Sequence, residues 1–437
     1  MVRHSLIPFL PTLLLLACSS TADGPPPTLD GGTGEAGDGS VPACGLPTSS
    51  GDAMSAKRAS CTFTAGATVA DSLGVTASDR ARIPIKHVVI VMQENRSFDH
   101  MLGAGTGWDG VKTSFTNPDT NGAAVAPFHM TGATGCVPAD PPHQGAAMLA
   151  GWNKGAMDGF VKSAAISGSD GHYVMGYYDE ADLPFYYFLA KTFAIGDRYF
   201  GSALAGTWGN RDYLYAGTSD GITDTGVGIL KKPTVFDALT AAQVSWGVYT
   251  DGNPRQDSLG WTKFHAGVFG FGAFVAALAD GSLPAVSFVD PGGSQDEHPA
   301  GDVQGGEAWA RTIVAAATTS PLWKELAIFY TYDESGGLAD HVPPPAACLA
   351  SPDQTRFDHY GIRVPLYLVS PWARRGYVSH ETHDHTSLLR FIELLFDLPA
   401  LTGRDANADA MLDLFDFSCG RDLTPPALPA AGAKHCP

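Results

Sequence analysis

Apolar residues in this chain fall into two patterns. Uninterrupted short runs, such as Val88–Val91 within IPIKHVVIVMQEN, recur at 244–250 (VSWGVYT), 285–290 (AVSFVD), 326–333 (LAIFYTYD) and 364–370 (VPLYLVS). A segment apolar at successive positions is buried on both faces, as in a parallel sheet covered on two sides. Between these runs, helix-like stretches lie at 182–193 (DLPFYYFLAKTF), 306–319 (GEAWARTIVAAATT) and 385–396 (HTSLLRFIELLF). The alternation predicts an α/β fold, a three-layer α/β/α sandwich on a mainly parallel central sheet. FGFGAFVAALADG at 269–281 reads as a core helix, too short and too interrupted by glycine to cross a membrane.

The polar residues that stop each run carry the chemistry. The first ends in Gln93, Glu94 and Asn95, the 285–290 run at Asp290, the 326–333 run in Asp333 and Glu334, and the 364–370 run at Ser370. Functional groups in such sheets collect at the carboxyl ends of strands. Acidic residues converging on one edge would repel each other, and a divalent cation among Glu94, Asn95, Asp333 and Glu334 would relieve that. Hard oxygen donors suit Ca, Mg or Mn, and Zn or Fe also accept them. The bland alternative is an ion-paired strand end, with Arg96 bound to Asp99 or Glu94.

Charge and the N-terminus narrow the setting. The 437 residues carry a formal net charge of -18, which argues against nucleic acid or an anionic membrane surface as a non-specific partner. Residues 1–18 combine Arg3, an apolar stretch from Leu6 to Leu16 and Cys18, the pattern of a lipoprotein signal with an acylated cysteine. An ordinary cleaved signal is the alternative. Either makes the chain exported, as an envelope lipoprotein at the outer membrane or cell surface, or as a secreted protein. Residues 19–80, rich in Gly, Pro and Asp at their start, read as a flexible tether and N-terminal extension, and 81–437 as the catalytic domain. Six cysteines remain besides Cys18, enough for three disulfides, with Cys44–Cys61 and Cys419–Cys436 as candidate local loops.

KHVVIVMQENRSFDHMLG resembles the opening motif of the bacterial phosphoesterase family that includes non-specific phospholipases C and certain acid phosphatases. Further blocks follow in family order at 140–161, 177–219, 296–309, 323–345 and 383–393, so the resemblance spans Ile85 to Phe417. It implies an alkaline-phosphatase-like fold and metal-assisted attack on phosphorus by a hydroxyl. Glu94, Asn95, Asp333 and Glu334 match the metal ligands, Thr207 in GTWGNRD the nucleophile, and His143 and His298 the histidines around the phosphate. Asn210, Arg211, Asp340, His341 and His385 are the substrate-side candidates, with Asp384 in support. Thr207 would lie near a helix start, where free N–H groups favour an anion, although an N-cap role fits there too.

Two departures stand out. Ser335 in DESGG replaces a family histidine, and Gly209 replaces a proline, which predicts a looser loop. The substrate is a phospholipid diester, in phospholipase C fashion, or a small phosphomonoester, as in acid phosphatases. A non-catalytic surface protein on the same fold is the reading from another class. The aromatic residues Tyr173, Tyr177, Tyr178, Phe185, Tyr186 and Tyr187 could line a headgroup pocket or belong to the core.

Overall fold

In the computed structural model, the described residues are 53–131, 136–165, 169–259 and 267–433. Eight strands form the main sheet: β1 (His87–Gln93), β2 (Ala194–Gly196), β3 (Trp246–Tyr249), β4 (Val268–Phe269), β5 (Val286–Val289), β6 (Leu326–Tyr332), β7 (Leu366–Val369) and β8 (Tyr377–Ser379). Their order is β8-β2-β7-β6-β1-β5-β3-β4. The apolar run of β1 sits between β5 and β6, parallel to both, with Val88 to Val91 at most 1% exposed. The uninterrupted apolar patterns are thus explained by burial on both faces.

Successive side chains of a strand point to opposite faces, and ring contacts identify what covers each. Tyr330 of β6 packs on Tyr186 of the helix Pro184–Thr192, with ring centroids 5.7 Å apart. Its neighbour Phe329 packs on Phe391 of the helix His385–Phe396 at 5.1 Å. Phe288 of β5 meets Phe236 of the helix Val235–Ala241, on the same face as Tyr215 of the helix Thr207–Ala216. Tyr249 of β3 meets Phe274 of the helix Phe271–Asp280. The three-layer α/β/α arrangement follows.

One strand breaks the expected direction. β7 is antiparallel to both β6 and β2. Ser370 therefore lies at the edge opposite the other strand ends, where its hydroxyl donates to the Leu326 carbonyl at the start of β6, 2.8 Å away. It takes no part in the polar edge the sequence assigned it to. The helix Phe271–Asp280 buries Phe274 and Leu278 and packs Phe271, Val275 and Ala277 partly against the core, with its other face exposed, so it is a surface helix rather than a fully buried one. Among the described residues, no helix is long and apolar enough to cross a membrane.

Residues 53–80 belong to the compact unit that carries the sheet, so the folded body starts before residue 81. Helices Val69–Leu73 and Ala77–Arg80 each open with a capping box, Thr68 with Asp71 and Thr76 with Asp79. Arg58 pairs with Asp409 at 3.0 Å, and Arg390 donates to the Thr68 carbonyl at 3.1 Å. Cys61 is bonded to Cys348, 287 residues away, and not to Cys44. Cys136 and Cys419 are also disulfide-bonded. Cys18, Cys44 and Cys436, with the signal and most of the tether, lie outside the described residues.

Tyr173, Tyr178, Phe185, Tyr186 and Tyr187 are buried, so they belong to the core and line no open headgroup pocket. Tyr177 is half-buried and stacks on His129. Leu183 gives the helix Pro184–Thr192 no side-chain cap. Glu307 from the helix Val303–Thr319 takes that role, accepting from the amides of Phe185 at 2.7 Å and Tyr186 at 3.1 Å, and from Gly432 of the C-terminal segment.

Burial pushes the Glu307 carboxyl up to about 7 from its ordinary value of 4.5, although its three amide donors favour the charged form. A carboxyl raised by folding binds its proton better in the native state. Its ionisation cost therefore grows as pH rises from about 4.5 to about 7 and is fully present above that window. Glu307→Gln removes this titration. The loss of thermal stability between pH 5 and pH 8 is expected to be smaller in Glu307→Gln than in the parent chain, measured by thermal unfolding at both pH values.

Candidate active site

The sheet register brings the polar ends together. Gln93 of β1 is paired with Tyr332 of β6, and Val91 with Val289 of β5. Glu94 and Asn95 thus adjoin Asp333 and Glu334 on one side and Asp290 on the other. All five are buried. Behind them, Gly336 and Gly337 take positive φ angles of 64° and 71°. A side chain at Gly336 would collide with the Asn95 carbonyl, so this turn closes on the site only with glycine there.

Thr207 is the first residue of its helix, and Gly206 is the N-cap, which removes the capping explanation for the threonine. Asn95 Nδ2 donates to Thr207 Oγ1 at 3.3 Å, to Asp333 Oδ1 at 3.2 Å and to Glu334 Oε1. The amide therefore joins the hydroxyl to the acidic pair. Asn95 Oδ1 is buried without a hydrogen-bond partner.

Arg211, one turn after Thr207 on the same helix, is fully buried under this cluster. It reaches Asp290 at 2.7 Å, Asp333 at 3.2 Å and Glu94 at 3.3 Å, and donates to the Met92 carbonyl at 3.0 Å. Arg255 adds a second cation at 3.0 Å from Glu94 and also pairs with Asp296. Burial still pushes the Glu94 carboxyl up to about 8, and the Asp333 charge adds to it. Burial likewise takes Glu334 up to about 8, against the pull of His143.

Opposite the carboxylates lie His143 and His298, with ring centroids 5.1 Å apart. His143 Nδ1 faces the Pro141 carbonyl at 2.8 Å, and His298 Nδ1 the Pro299 carbonyl at 2.7 Å. A carbonyl only accepts, so each ring carries its proton on Nδ1 and presents Nε2 elsewhere. His143 Nε2 lies 3.8 Å from Glu334 Oε1. Burial disfavours a charged imidazole, yet the Glu334 and Asp140 carboxylates outweigh it and lift His143 to about 10. Asp140, His143 and His298 place ligand-capable atoms within 4.8 Å of one another.

The donor set fits a divalent cation. Glu94, Asn95, Asp333 and Glu334 are hard oxygen donors at adjacent strand ends, and Asn95 Oδ1 is an orphaned buried acceptor. Turning the Asn95 amide over would set that oxygen against the threonine hydroxyl and the acidic pair, an arrangement that a cation between them would stabilise.

The residues expected on the substrate side have other work. Asn210 donates to the carbonyls of Ala205 at 2.7 Å and Gly206 at 3.2 Å and accepts from the Ala203 amide, which fixes the loop before Thr207. Arg211 is spent on the carboxylates. His385 contacts the Tyr199 hydroxyl at 2.8 Å and the Asp333 carbonyl at 2.7 Å, holding the Asp333 backbone. Asp340 binds Arg363 and the Asp99 amide. His341 binds Asp99 at 2.7 Å and Asp109 at 3.3 Å, tying the turn after Glu334 to the helix Phe98–Leu102. Asp384 accepts from Ser202 and Thr386 at a helix start. Arg96 pairs with neither Asp99 nor Glu94 but donates to the Glu297 and Gly301 carbonyls.

Both departures from the family pattern are accommodated. Ser335 is buried with its hydroxyl 3.6 Å from Met148 Sδ, so an imidazole there would have to displace that methionine. Gly209 sits within the first turn of the helix that begins at Thr207. A Cβ there would lie 2.7 Å from Ala205 Cβ and 2.8 Å from the Ile222 carbonyl, so the position is tight, not loose. Asp140 and Arg255 escaped the sequence reading. Asp140 stands three residues before His143 in DPPH, a spacing that could have drawn notice. Arg255 lies in a loop without motif.

A family model described as the Phosphoesterase family matches residues 85–399. Non-specific phospholipase C6 of Arabidopsis thaliana is 32% identical over 377 residues, covering 76% of this chain and 72% of its own length. Phospholipase C A of Mycobacterium tuberculosis is 31% identical over 425 residues, covering 80% of this chain and 81% of its own. Among solved structures, a protein in the alkaline phosphatase superfamily from Vibrio parahaemolyticus aligns over 78% of this chain and 70% of its own, at 11% identity and a TM-score of 0.37.

If Arg211 is the internal counter-ion of this edge, its loss strands three buried carboxylates whether or not a ligand is present. Arg211→Ala is expected to lose roughly 3–5 kcal/mol of stability, read from denaturant unfolding of the ligand-free protein. Unchanged stability would return Arg211 to a ligand-binding role.

Proposed function

Since the chain belongs to the phosphoesterase family, and is thereby a hydrolase of phosphoester bonds, we propose that Thr207 is its nucleophile and that the reaction passes through a phospho-threonine. The observation that supports this most directly is the placement of the Thr207 hydroxyl within 3.3 Å of an amide that also bonds both members of the acidic pair. A divalent cation held by Glu94, Asn95, Asp333 and Glu334 would polarise a phosphoryl oxygen and lower the pKa of the hydroxyl.

The chain's own groups do the rest. Thr207 sits at the N-terminus of a ten-residue helix, whose free amides and dipole attract phosphoryl oxygens. Its hydroxyl gives up a proton to water, Oγ bonds to phosphorus, and the bond from phosphorus to the ester oxygen breaks. The departing oxygen takes the Nε2 proton of the doubly protonated ring of His298 or His143, whose Nδ1 stays bonded to a backbone carbonyl. In the second step that histidine accepts a proton from water. The water oxygen bonds to phosphorus, and Thr207 Oγ leaves and regains its proton. Asn210 and His385 act as positioning residues, the first for the nucleophile loop, the second for Asp333.

The substrate reading is a phospholipase C-type diester, supported by the names of the relatives, with a small phosphomonoester as the competing substrate. Hydrolysis of p-nitrophenyl phosphate and p-nitrophenyl phosphocholine, with and without chelator, separates the two. Thr207→Ala is expected to reduce turnover of the preferred ester by at least roughly 10³-fold with thermal stability retained, and Thr207→Ser to recover part of it. Full turnover in Thr207→Ala would end the covalent proposal.

We further propose that the protein works outside the cytoplasm, tethered through acylated Cys18. The Cys61–Cys348 disulfide supports an oxidising compartment. Growth of the producing cells with a labelled fatty acid is expected to label the protein, and Cys18→Ala to abolish the label. A labelled Cys18→Ala protein would refute the anchor.

A further inference from the structure

Among the described residues, large apolar side chains are exposed at four positions, three of them on segments that adjoin the site. Leu149 is 39% exposed, Val227 61%, Ile229 50% and Phe269 46%. Leu149 lies one turn into the helix Gly145–Trp152, which begins two residues after His143. Val227 and Ile229 occupy the loop after the Thr207 helix. That loop is bonded to both site-bearing segments. Thr223 accepts from the Gly206 amide at 2.8 Å, directly before Thr207. Thr225 donates to Gln144 Oε1 at 3.1 Å, and Asp224 accepts from the Gly145 amide at 2.9 Å. Phe269 ends β4 beside Tyr249, at the same carboxyl edge of the sheet.

The loop is built to hold its apolar residues outward. Ile222 and Leu230 are buried at its two ends, and the Leu230 amide donates to the Ser258 carbonyl at 2.7 Å. Gly226 and Gly228 alternate with Val227 and Ile229 at φ angles of 80° and 87°, a backbone that other residues rarely adopt. Directly after Ile229 and Leu230 come exposed Lys231 and Lys232, the latter paired with Asp220 at 3.1 Å. Apolar tips followed by basic residues suit a boundary between acyl chains and phosphate headgroups.

We propose that Leu149, Val227, Ile229 and Phe269 form the rim by which the enzyme seats on a zwitterionic phospholipid layer. This rests on the phosphoesterase reading. The apolar tips enter the boundary beneath the headgroups, Lys231 faces their phosphates, and the polar site between the rim segments meets the ester bond at headgroup depth. A net charge of -18 opposes a strongly anionic layer and leaves a zwitterionic one as the fitting partner. The tips stand on separate segments, which fits a fluid surface better than one rigid protein face.

The test uses the full chain with Cys18→Ser, so that no acyl group contributes, and compares it with the same chain carrying Val227→Asp and Ile229→Asp. Sedimentation with phosphatidylcholine vesicles, hydrolysis of that vesicle lipid and hydrolysis of soluble p-nitrophenyl phosphocholine are measured. The expected result is at least a tenfold loss of vesicle binding and of vesicle hydrolysis, with the soluble ester turned over at the parent rate. Equal vesicle binding by both chains would overturn the rim, as would equal losses on soluble and vesicle substrates. Self-association abolished by the substitutions, with vesicle binding intact, would overturn it in favour of a contact between copies. If the parent hydrolyses neither substrate, the phosphodiesterase reading fails, and vesicle sedimentation alone decides on the rim.

Discussion

The pairing of one buried arginine with three carboxylates governs how this protein can be built. Glu94, Asp290 and Asp333 stand at the ends of adjacent parallel strands, and Arg211 reaches all three from below. Carboxylates withdrawn from water cost several kcal/mol each unless paired and hydrogen-bonded. A guanidinium can meet several partners at once because its donors point in fixed, divergent directions, and it stays charged in such surroundings. Lysine would offer one centre to the same three acids. Arg211 also lies one turn after Thr207, so the helix that presents the hydroxyl is locked to the sheet by the same ion pairs. The Thr207 hydroxyl and the acidic edge are therefore placed by a single rigid element.

Around that lock, the polar groups act through one another. His385 grips the Asp333 carbonyl, Asn210 fixes the loop ahead of Thr207, and Gly336 closes against Asn95. Asp99, Asp340, His341 and Arg363 join the segment after Asn95 to the turn after Glu334. Each contact restrains an atom that bears on the site without facing it. Residues drawn from distant parts of the chain converge here because a site needs its supports as much as its reacting groups.

Much of this was legible in the residues. The unbroken Val88–Val91 run predicted a strand buried on both faces, and the acids at strand ends predicted one shared edge. Strand direction was not legible: VPLYLVS is apolar whichever way it runs, so Ser370 was assigned to the wrong edge. Arg211 was read as holding the Thr207 loop or touching phosphate oxygens, because a guanidinium suits phosphate and carboxylate equally well; in the fold it meets Glu94, Asp290 and Asp333. Cys61 and Cys348 are too far apart in sequence for spacing to suggest their bond. The start of the body was missed for another reason. The Gly- and Pro-rich composition upstream outweighed two capping boxes, Thr68 with Asp71 and Thr76 with Asp79, that were present in the sequence.

The consumption of Arg211 bears on how an anionic ester could approach at all. The protein carries a net charge of -18, and its site is itself acidic. A phosphate entering beside Glu94, Asp333 and Glu334 would meet repulsion strengthened by burial. Arg211 cannot serve as its clamp, because moving toward the phosphate would abandon three carboxylates. His143, held charged by Glu334 and Asp140, offers one positive group, and the helix start at Thr207 offers partial charge. Neither balances the acidic pair and a phosphate together. Arg255 beside Glu94 adds a second guanidinium, and a cation bound near the buried Asn95 oxygen, which has no partner, would add further compensation. Internal ion pairing of Arg211 thus leaves the charge balance of an entering phosphate to Arg255, His143 and any cation the site would hold.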